Sequence, residues 1–257
     1  MNHDNRNIFE EDYSKAYDLI YKKKNYDNEC SRILNFLKYK KNVSNILDLG
    51  CGTCSHSIIL SKYGFNIDAI DRSKKMLEIA KKKIAKKRAT NIKLIRADIE
   101  ALTLENVKYD VVLLLFNVFG YLKKPYIFFS NLKKYLKKGG IVIFDFWHEC
   151  AVIQNGPKKT KKIFEEADIS LTKVSEGEIN RKKKTIIINI QTYENKKNHV
   201  ITKNEEEHHI RYYNIKALSL NLMNQGFKVL KFEDFENDGY PPNEKNWSAY
   251  CVSKFLG

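Results

Sequence analysis

From residue 45 onward the chain alternates short apolar runs with longer segments of helical spacing, and each change of period predicts an element. The run "NILDLG" (45–50) predicts a buried strand, and "SHSIILSKYG" a helix that ends at Gly64. "FNIDAID" (65–71) predicts a second strand. In "SKKMLEIAKKKIAKK", Met76, Leu77, Ile79, Ala80 and Ile84 share one side, and Ser73 is placed to cap the helix. "NIKLIRAD" (91–98) and "YDVVLLLF" (109–116) predict strands three and four. "PYIFFSNLKKYLKKGG" predicts an amphipathic helix started by Pro125 and closed by Gly139 and Gly140, with "IVIFDFW" (141–147) as strand five. This alternation implies a parallel sheet wound on both faces.

After Trp147 the period shortens. Residues 169–213 offer three or four strand-like segments with polar turns and no convincing helix, which predicts inserted antiparallel strands. "NIKALSLNLMNQGF" resumes a helix ending at Gly226, and "KVLKFEDF" and "NWSAYCVSKFL" predict two last strands. The expected architecture is α/β: a Rossmann-like, doubly wound, mostly parallel seven-stranded sheet with an inserted antiparallel β cap. Residues 45–147 and 214–257 form the core and 148–213 the cap. Residues 1–44, with Tyr13, Tyr17, Tyr21 and Tyr26, form helices covering one end of the sheet.

Charge changes the picture less than its size suggests. Lys and Arg total 46 against 31 acidic residues, a formal net charge of +15, which invites a nucleic-acid reading. Yet 39 of the 46 are Lys, whereas Arg is the side chain suited to bidentate phosphate and guanine contacts. The lysines sit in runs on helices whose other face is apolar, where a solvated face explains them. The five cysteines are odd in number and scattered, and the first residues hold no apolar signal core, so a reducing, cytoplasmic setting is expected. The longest apolar run, 111–116, falls far short of the roughly 20 residues that span a bilayer.

The chemistry concentrates in "LDLGCGTC" (47–54). Cys51 and Cys54 form a Cys-x-x-Cys pair, but no second pair exists to complete a zinc site and His56 is the one nearby nitrogen ligand, so no metal is expected. A dinucleotide loop would want a third glycine where Ser55 stands. Asp48 would place a carboxylate near a pyrophosphate, which is unfavourable for a phosphate and favourable for a cationic ligand. S-adenosylmethionine, with an ammonium, a sulfonium and no phosphate, suits such a loop.

These residues resemble the first motif of class I S-adenosylmethionine-dependent methyltransferases, an acid followed by Gly-x-Gly-x-Gly, with Cys54 in place of the last glycine. "DAIDRSKKML" resembles the second motif, whose acid binds the ribose hydroxyls, here Asp71. "IRADIE" resembles the third, whose acid meets the adenine amino group, here Asp98, and "LLLFNVFGYL" the fourth, where the methyl acceptor waits. The resemblance implies cofactor contacts at Asp48, Gly50, Cys51, Gly52, Asp71, Arg72, Met76, Asp98, Ile99, Phe116 and Asn117.

Base-modifying relatives acting on exocyclic amines carry an Asn- or Asp-Pro-Pro-aromatic fourth motif, and "FNVFGY" lacks the prolines. Together with "FDFWHE", the β insertion and "EEEHHIRYY", the pattern is similar to small-molecule methyltransferases, especially those that N-methylate nucleotide-linked amino sugars. The expected partner is thus a small polar methyl acceptor, with RNA or DNA as a less favoured alternative and a non-catalytic cofactor-binding protein as another. Tyr121 and His148 are the candidate catalytic groups, although an aromatic lid and a surface histidine are their alternatives. Tyr17, Tyr21, Trp147 and Arg211 are candidates for contacting the acceptor, Arg211 as a diphosphate clamp or as the partner of a neighbouring Glu. The cap offers a surface through which two copies could pair.

Overall fold

The computed structural model describes residues 9, 11–38, 40, 42–105, 107–166, 169–196 and 199–257. Residues 1–8 of the expected N-terminal segment, and the Tyr13 side chain, lie outside the described set. Five parallel strands form the heart of the sheet: β1 (Asn45–Leu49), β2 (Asn66–Asp71), β3 (Ile92–Arg96), β4 (Tyr109–Leu114) and β5 (Leu136–His148). Antiparallel β11 (Ser248–Phe255) pairs with β5, and β10 (Phe227–Asp234) with β11, so the core order is β3-β2-β1-β4-β5-β11-β10. The order reverses between β1 and β4, which opens a crevice at their carboxyl ends.

Helices cover both faces, so the central strands are apolar on both sides rather than alternating. Leu47, Leu49, Val112, Leu114, Phe144 and Phe146 face one core with Phe119, Phe128 and Phe129; Ile46, Val111, Leu113 and Ile143 face the other with Ile33, Ile58 and Leu60. The second core is roofed by α2 (Tyr26–Leu37) and α3 (Ser55–Ser61). On α4 (Lys74–Lys87), the Ser73 hydroxyl accepts the Met76 N–H at 3.1 Å, the cap its position predicts.

Between β4 and β5 the expectation needs correction. The helix α5 covers only Pro125–Leu132, a 3-10 turn follows at Lys133–Tyr135, and β5 already begins at Leu136. Gly139 and Gly140 therefore lie inside the strand and do not close a helix. Gly139 has φ of +77°, and a Cβ on Gly140 would stand 2.8 Å from both the Leu136 side chain and the Lys137 carbonyl. The pair shapes the irregularity by which β5 slips register against β4 between Tyr109 and Val111.

The inserted strands are β6 (Thr160–Glu166), β7 (Ile169–Asn180), β8 (Thr185–Lys196) and β9 (His199–Tyr213), an antiparallel sheet in chain order. The sequence pattern missed β6, an edge strand almost wholly exposed that shows no apolar alternation, and the short helix α6 (Glu149–Asn155), which buries only Ala151 and Val152. The cap joins the core where Trp147 and His148 of β5 pair in parallel with Tyr212 and Tyr213 of β9. Helix α1 (Glu11–Ile20) bridges the two parts, packing Ile20 and Tyr17 against Leu171 and Ile190 of the cap. Helix α7 (Ile215–Asn224) leads back to β10.

Candidate active site

The crevice holds a cavity of about 380 Å³, within the roughly 300–1,000 Å³ usual for small-molecule sites. Its floor is the turn after β1. Gly50 and Gly52 adopt φ of +75° and +54°, and a Cβ on Gly50 would lie 2.6 Å from Val118, whereas nothing stands within 4 Å of one on Gly52. The Cα of Gly52 thus faces open space on the side a Cβ would take. Asp71, ending β2, fixes this turn: its Oδ2 accepts the Gly52 N–H and its Oδ1 the Ser73 N–H, both at 2.8 Å. Asp48 lies beneath, accepting a hydrogen bond from Ser57 Oγ. Burial pushes the pKa of Asp48 and of Asp71 up, and a ligand bringing positive charge stabilises such carboxylates. Asp98 and Ile99 form another wall, with Asp98 Oδ1 turned to the Glu100 N–H at 2.9 Å.

Cys54 stands where a third glycine was expected, in the left-handed region at φ of +61°, and its side chain is fully buried beside Cys30 and Ile33. The substitution loads the backbone by roughly 1–2 kcal/mol without filling the cavity.

The roof comes from the N-terminal segment. Phe9, Tyr17 and Tyr26 line the cavity with Phe116 and Tyr121. Phe116 and Asn117 have φ of +63° and +61°, and these successive left-handed residues turn the Phe116 ring into the cavity. His56, at the other end, holds Nε2 2.8 Å from Glu29 Oε2 on α2. Burial alone would raise the Glu29 pKa, but hydrogen bonds from His56 and Lys24 hold it below its usual value.

Residues 46–140 match the methyltransferase domain family model. Residues 46–140 carry a methyltransferase domain. A malonyl-(acyl-carrier protein) O-methyltransferase of Halalkalibacterium halodurans is 36% identical over 104 residues, 38% of this chain and 37% of that one. The dTDP-3-amino-3,4,6-trideoxy-alpha-D-glucopyranose N,N-dimethyltransferase of Streptomyces venezuelae is 27% identical over 146 residues, 54% of this chain and 59% of that one. The chain spans between about two-fifths and three-fifths of the length of these curated relatives. A solved S-adenosylmethionine-dependent methyltransferase from Clostridium acetobutylicum superposes with a TM-score of 0.78 at 19% identity, covering 95% of this chain and 98% of that one, so the fold extends through the cap. S-adenosylmethionine is the cofactor of the methyltransferase domain, and the open side of Gly52 with four carboxylates around one cavity, Asp48, Asp71, Asp98 and Glu100, fits it.

Of the residues singled out in sequence, Asp48, Gly50, Cys51, Gly52, Asp71, Arg72, Met76, Asp98, Ile99, Phe116, Tyr17 and Tyr121 meet at the cavity. Five do not. Asn117 donates its backbone N–H to Asp145 Oδ2 at 2.8 Å and buries its side chain behind the turn against Gly120. Tyr21 stands behind the wall, its ring 4.7 Å from Tyr17 and 4.8 Å from Phe116. Trp147 and His148 are displaced because β5 runs on beneath the cap: Trp147 packs on Trp247 at 5.1 Å, and His148 Nε2 bonds the Asn246 carbonyl at 2.8 Å. Arg211 spends its guanidinium on the carbonyls of Leu122, Lys123 and Lys183 at 3.1–3.4 Å, pinning the turn after β4 to the cap, and among the described residues it pairs with no Glu. Sequence reasoning in turn named Glu206 only as one of three possible partners of Arg211, and gave no role to His208, which stands between Tyr121 and Glu206, or to Glu29 behind His56.

Asp145, on β5 behind Asn117, has its pKa pushed up to about 7 by burial, with Glu29 adding to the effect. The folded state keeps this proton between about pH 4 and 7, where the unfolded chain, with a pKa of ~3.9, has released it. Its contribution therefore turns destabilising as pH rises through that window. Asp145→Asn should accordingly melt higher than the parent at pH 8, the gap closing towards pH 5. Thermal melts at both values check this, and an equal gap at both would exclude the assignment.

Proposed function

We propose that the protein transfers the methyl group of S-adenosylmethionine to the amino group of a small polar acceptor, a nucleotide-linked amino sugar being the leading class. The observation that carries this reading is the enclosure of the acceptor end. Tyr121, Phe116 and Tyr17 close the cavity at the carboxyl end of β4, under α1 and the cap, leaving a space suited to a small molecule. The amino-sugar methyltransferase relative named above and the β cap support the choice of acceptor.

The bound cofactor supplies an electrophilic methyl on a sulfonium. The chain's own residues do the positioning. Asp71 and Asp98 offer acceptors to a diol and an amine, Asp48 supplies negative charge beneath the loop, and the aromatic roof excludes water. Arg72 and Lys123 on the wall are cations that an anionic acceptor would meet.

Incubation with methyl-labelled S-adenosylmethionine and the thymidine-diphosphate-linked 3-amino-3,4,6-trideoxyglucose should give a labelled sugar, in amounts that Tyr121→Phe lowers. Label entering RNA from the same protein, and no amino sugar, would overturn the reading.

A further inference from the structure

Deepening this reading, and resting on it, we infer that Tyr121, His208 and Glu206 form a relay that removes the proton from the acceptor amine before transfer. Tyr121 is on the cavity wall, and its Oη lies 2.8 Å from His208 Nδ1. His208 Nε2 lies 3.0 Å from Glu206 Oε2, and both side chains are buried, 2% and 5% exposed. Glu206 and His208 are two residues apart on β9 and so share the face turned to the cavity. Residues Glu207 and His209, on the opposite face, form a more exposed pair at 2.7 Å.

The order of the bonds sets the direction of transfer. A carboxylate accepts only, so Glu206 holds the proton of neutral His208 on Nε2 and leaves Nδ1 as an acceptor. Tyr121 then donates its hydroxyl proton to Nδ1 and turns an oxygen lone pair towards the cavity. Burial raises the Tyr121 pKa well above its ordinary value, so the phenol hands on a proton only as it gains one. An amine arriving as its ammonium gives one proton to Tyr121 Oη, while the hydroxyl proton passes to Nδ1. The amine becomes neutral with a lone pair free to attack, the phenol is regenerated, and the positive charge moves to an imidazolium paired with Glu206. Nothing is oxidised, and the proton leaves to water in a later step.

The surroundings favour this arrangement. The Phe9 N–H donates to Glu206 Oε1 at 3.0 Å and its ring covers His208 at 5.4 Å, holding the carboxylate and screening the relay. Groups that act on Tyr121 include Glu206 on β9, Tyr17 and Tyr21 from the N-terminal segment, and Arg72 after β2.

Two measurements test the relay. In protein labelled with nitrogen-15 in its histidines, the His208 ring, assigned by its loss in His208→Asn, should be the Nε2–H tautomer in the wild type. An Nδ1–H tautomer would overturn the relay without touching the methyltransferase reading.

With an amino sugar as acceptor, His208→Asn should lower kcat about 100-fold at pH 7 with little change in KM. The deficit should shrink as pH passes the acceptor's own pKa, because the amine then arrives neutral. His209→Asn should match the wild type throughout. A deficit constant at every pH, or none at all, in an enzyme that still methylates the sugar overturns the relay alone. The tautomer as expected, with no methyl transfer to any amine, would instead overturn the proposed acceptor class and with it the relay's part in catalysis.

Discussion

Replacing Asp71 with alanine is expected to weaken binding of S-adenosylhomocysteine by about 10- to 100-fold, the equivalent of roughly 1.4–3 kcal/mol. The size follows from a double duty. The carboxylate faces the cavity as an acceptor, and it also takes the backbone N–H groups of Gly52 and Ser73, one on each oxygen. Alanine removes both bonds and frees the Gly52 peptide, held at a φ of +54°. Asp71→Asn is an informative control: an amide keeps one acceptor but turns an NH₂ towards one of the two N–H groups, so this variant should also lose affinity. Asp98→Ala should lose less, because among the described residues the Asp98 carboxylate holds no part of the glycine turn and bonds only the nearby Glu100 N–H. Calorimetric titration, with a melt showing each variant folded, decides it. An unchanged affinity for folded Asp71→Ala would remove the residue from the cofactor site.

The loop that Asp71 controls was legible in the sequence because its determinants are local. An acid, two glycines and a strand end fall within a few residues, and the parallel strands announce themselves as apolar runs because both faces of the sheet are covered. Residues that reach the crevice by distant register were not legible. Strand β5 continues to His148, which carries Trp147 and His148 past the crevice to Trp247 and Asn246. The sequence reveals the strand as far as Trp147 but not its pairing with β9 and β11, which decides where these last two side chains go. Glu206 and His208 were visible as a Glu-x-His repeat. "EEEHH" holds two interleaved copies of it, however, and a one-residue change of register would exchange the buried copy for the exposed one. The strand β6 escaped for the opposite reason. An exposed edge buries no face, and without burial there is no alternation to read.

The N-terminal helices meet the core through a contact that the apolar pattern also conceals, and its removal should have the largest effect on stability. Arg32 on α2 donates through Nη2 to Glu233 Oε1 at 2.5 Å and to the Asp234 carbonyl at 2.7 Å, and through Nη1 to the Phe235 carbonyl. Its guanidinium lies 4.8 Å from the Tyr250 ring centre, a cation–π contact. The two charged side chains are 3% and 0% exposed. Arg32→Met keeps the bulk of the stem but strands a carboxylate in the interior, which typically costs about 3–5 kcal/mol. Lys231 also pairs with Glu233 and is itself 42% exposed, so the loss should fall at the lower end of that range. Urea unfolding of the variant should show the loss in the midpoint with an unchanged slope. The double substitution Arg32→Met with Glu233→Leu should regain much of it, because removing both charges removes the uncompensated one. A loss below about 1 kcal/mol for Arg32→Met would mean that water or Lys231 already satisfies Glu233. The consequence reaches the cavity, since α2 also carries Glu29, which orients His56 at the wall. A loosened α2 should therefore weaken cofactor binding even though Arg32 does not line the cavity.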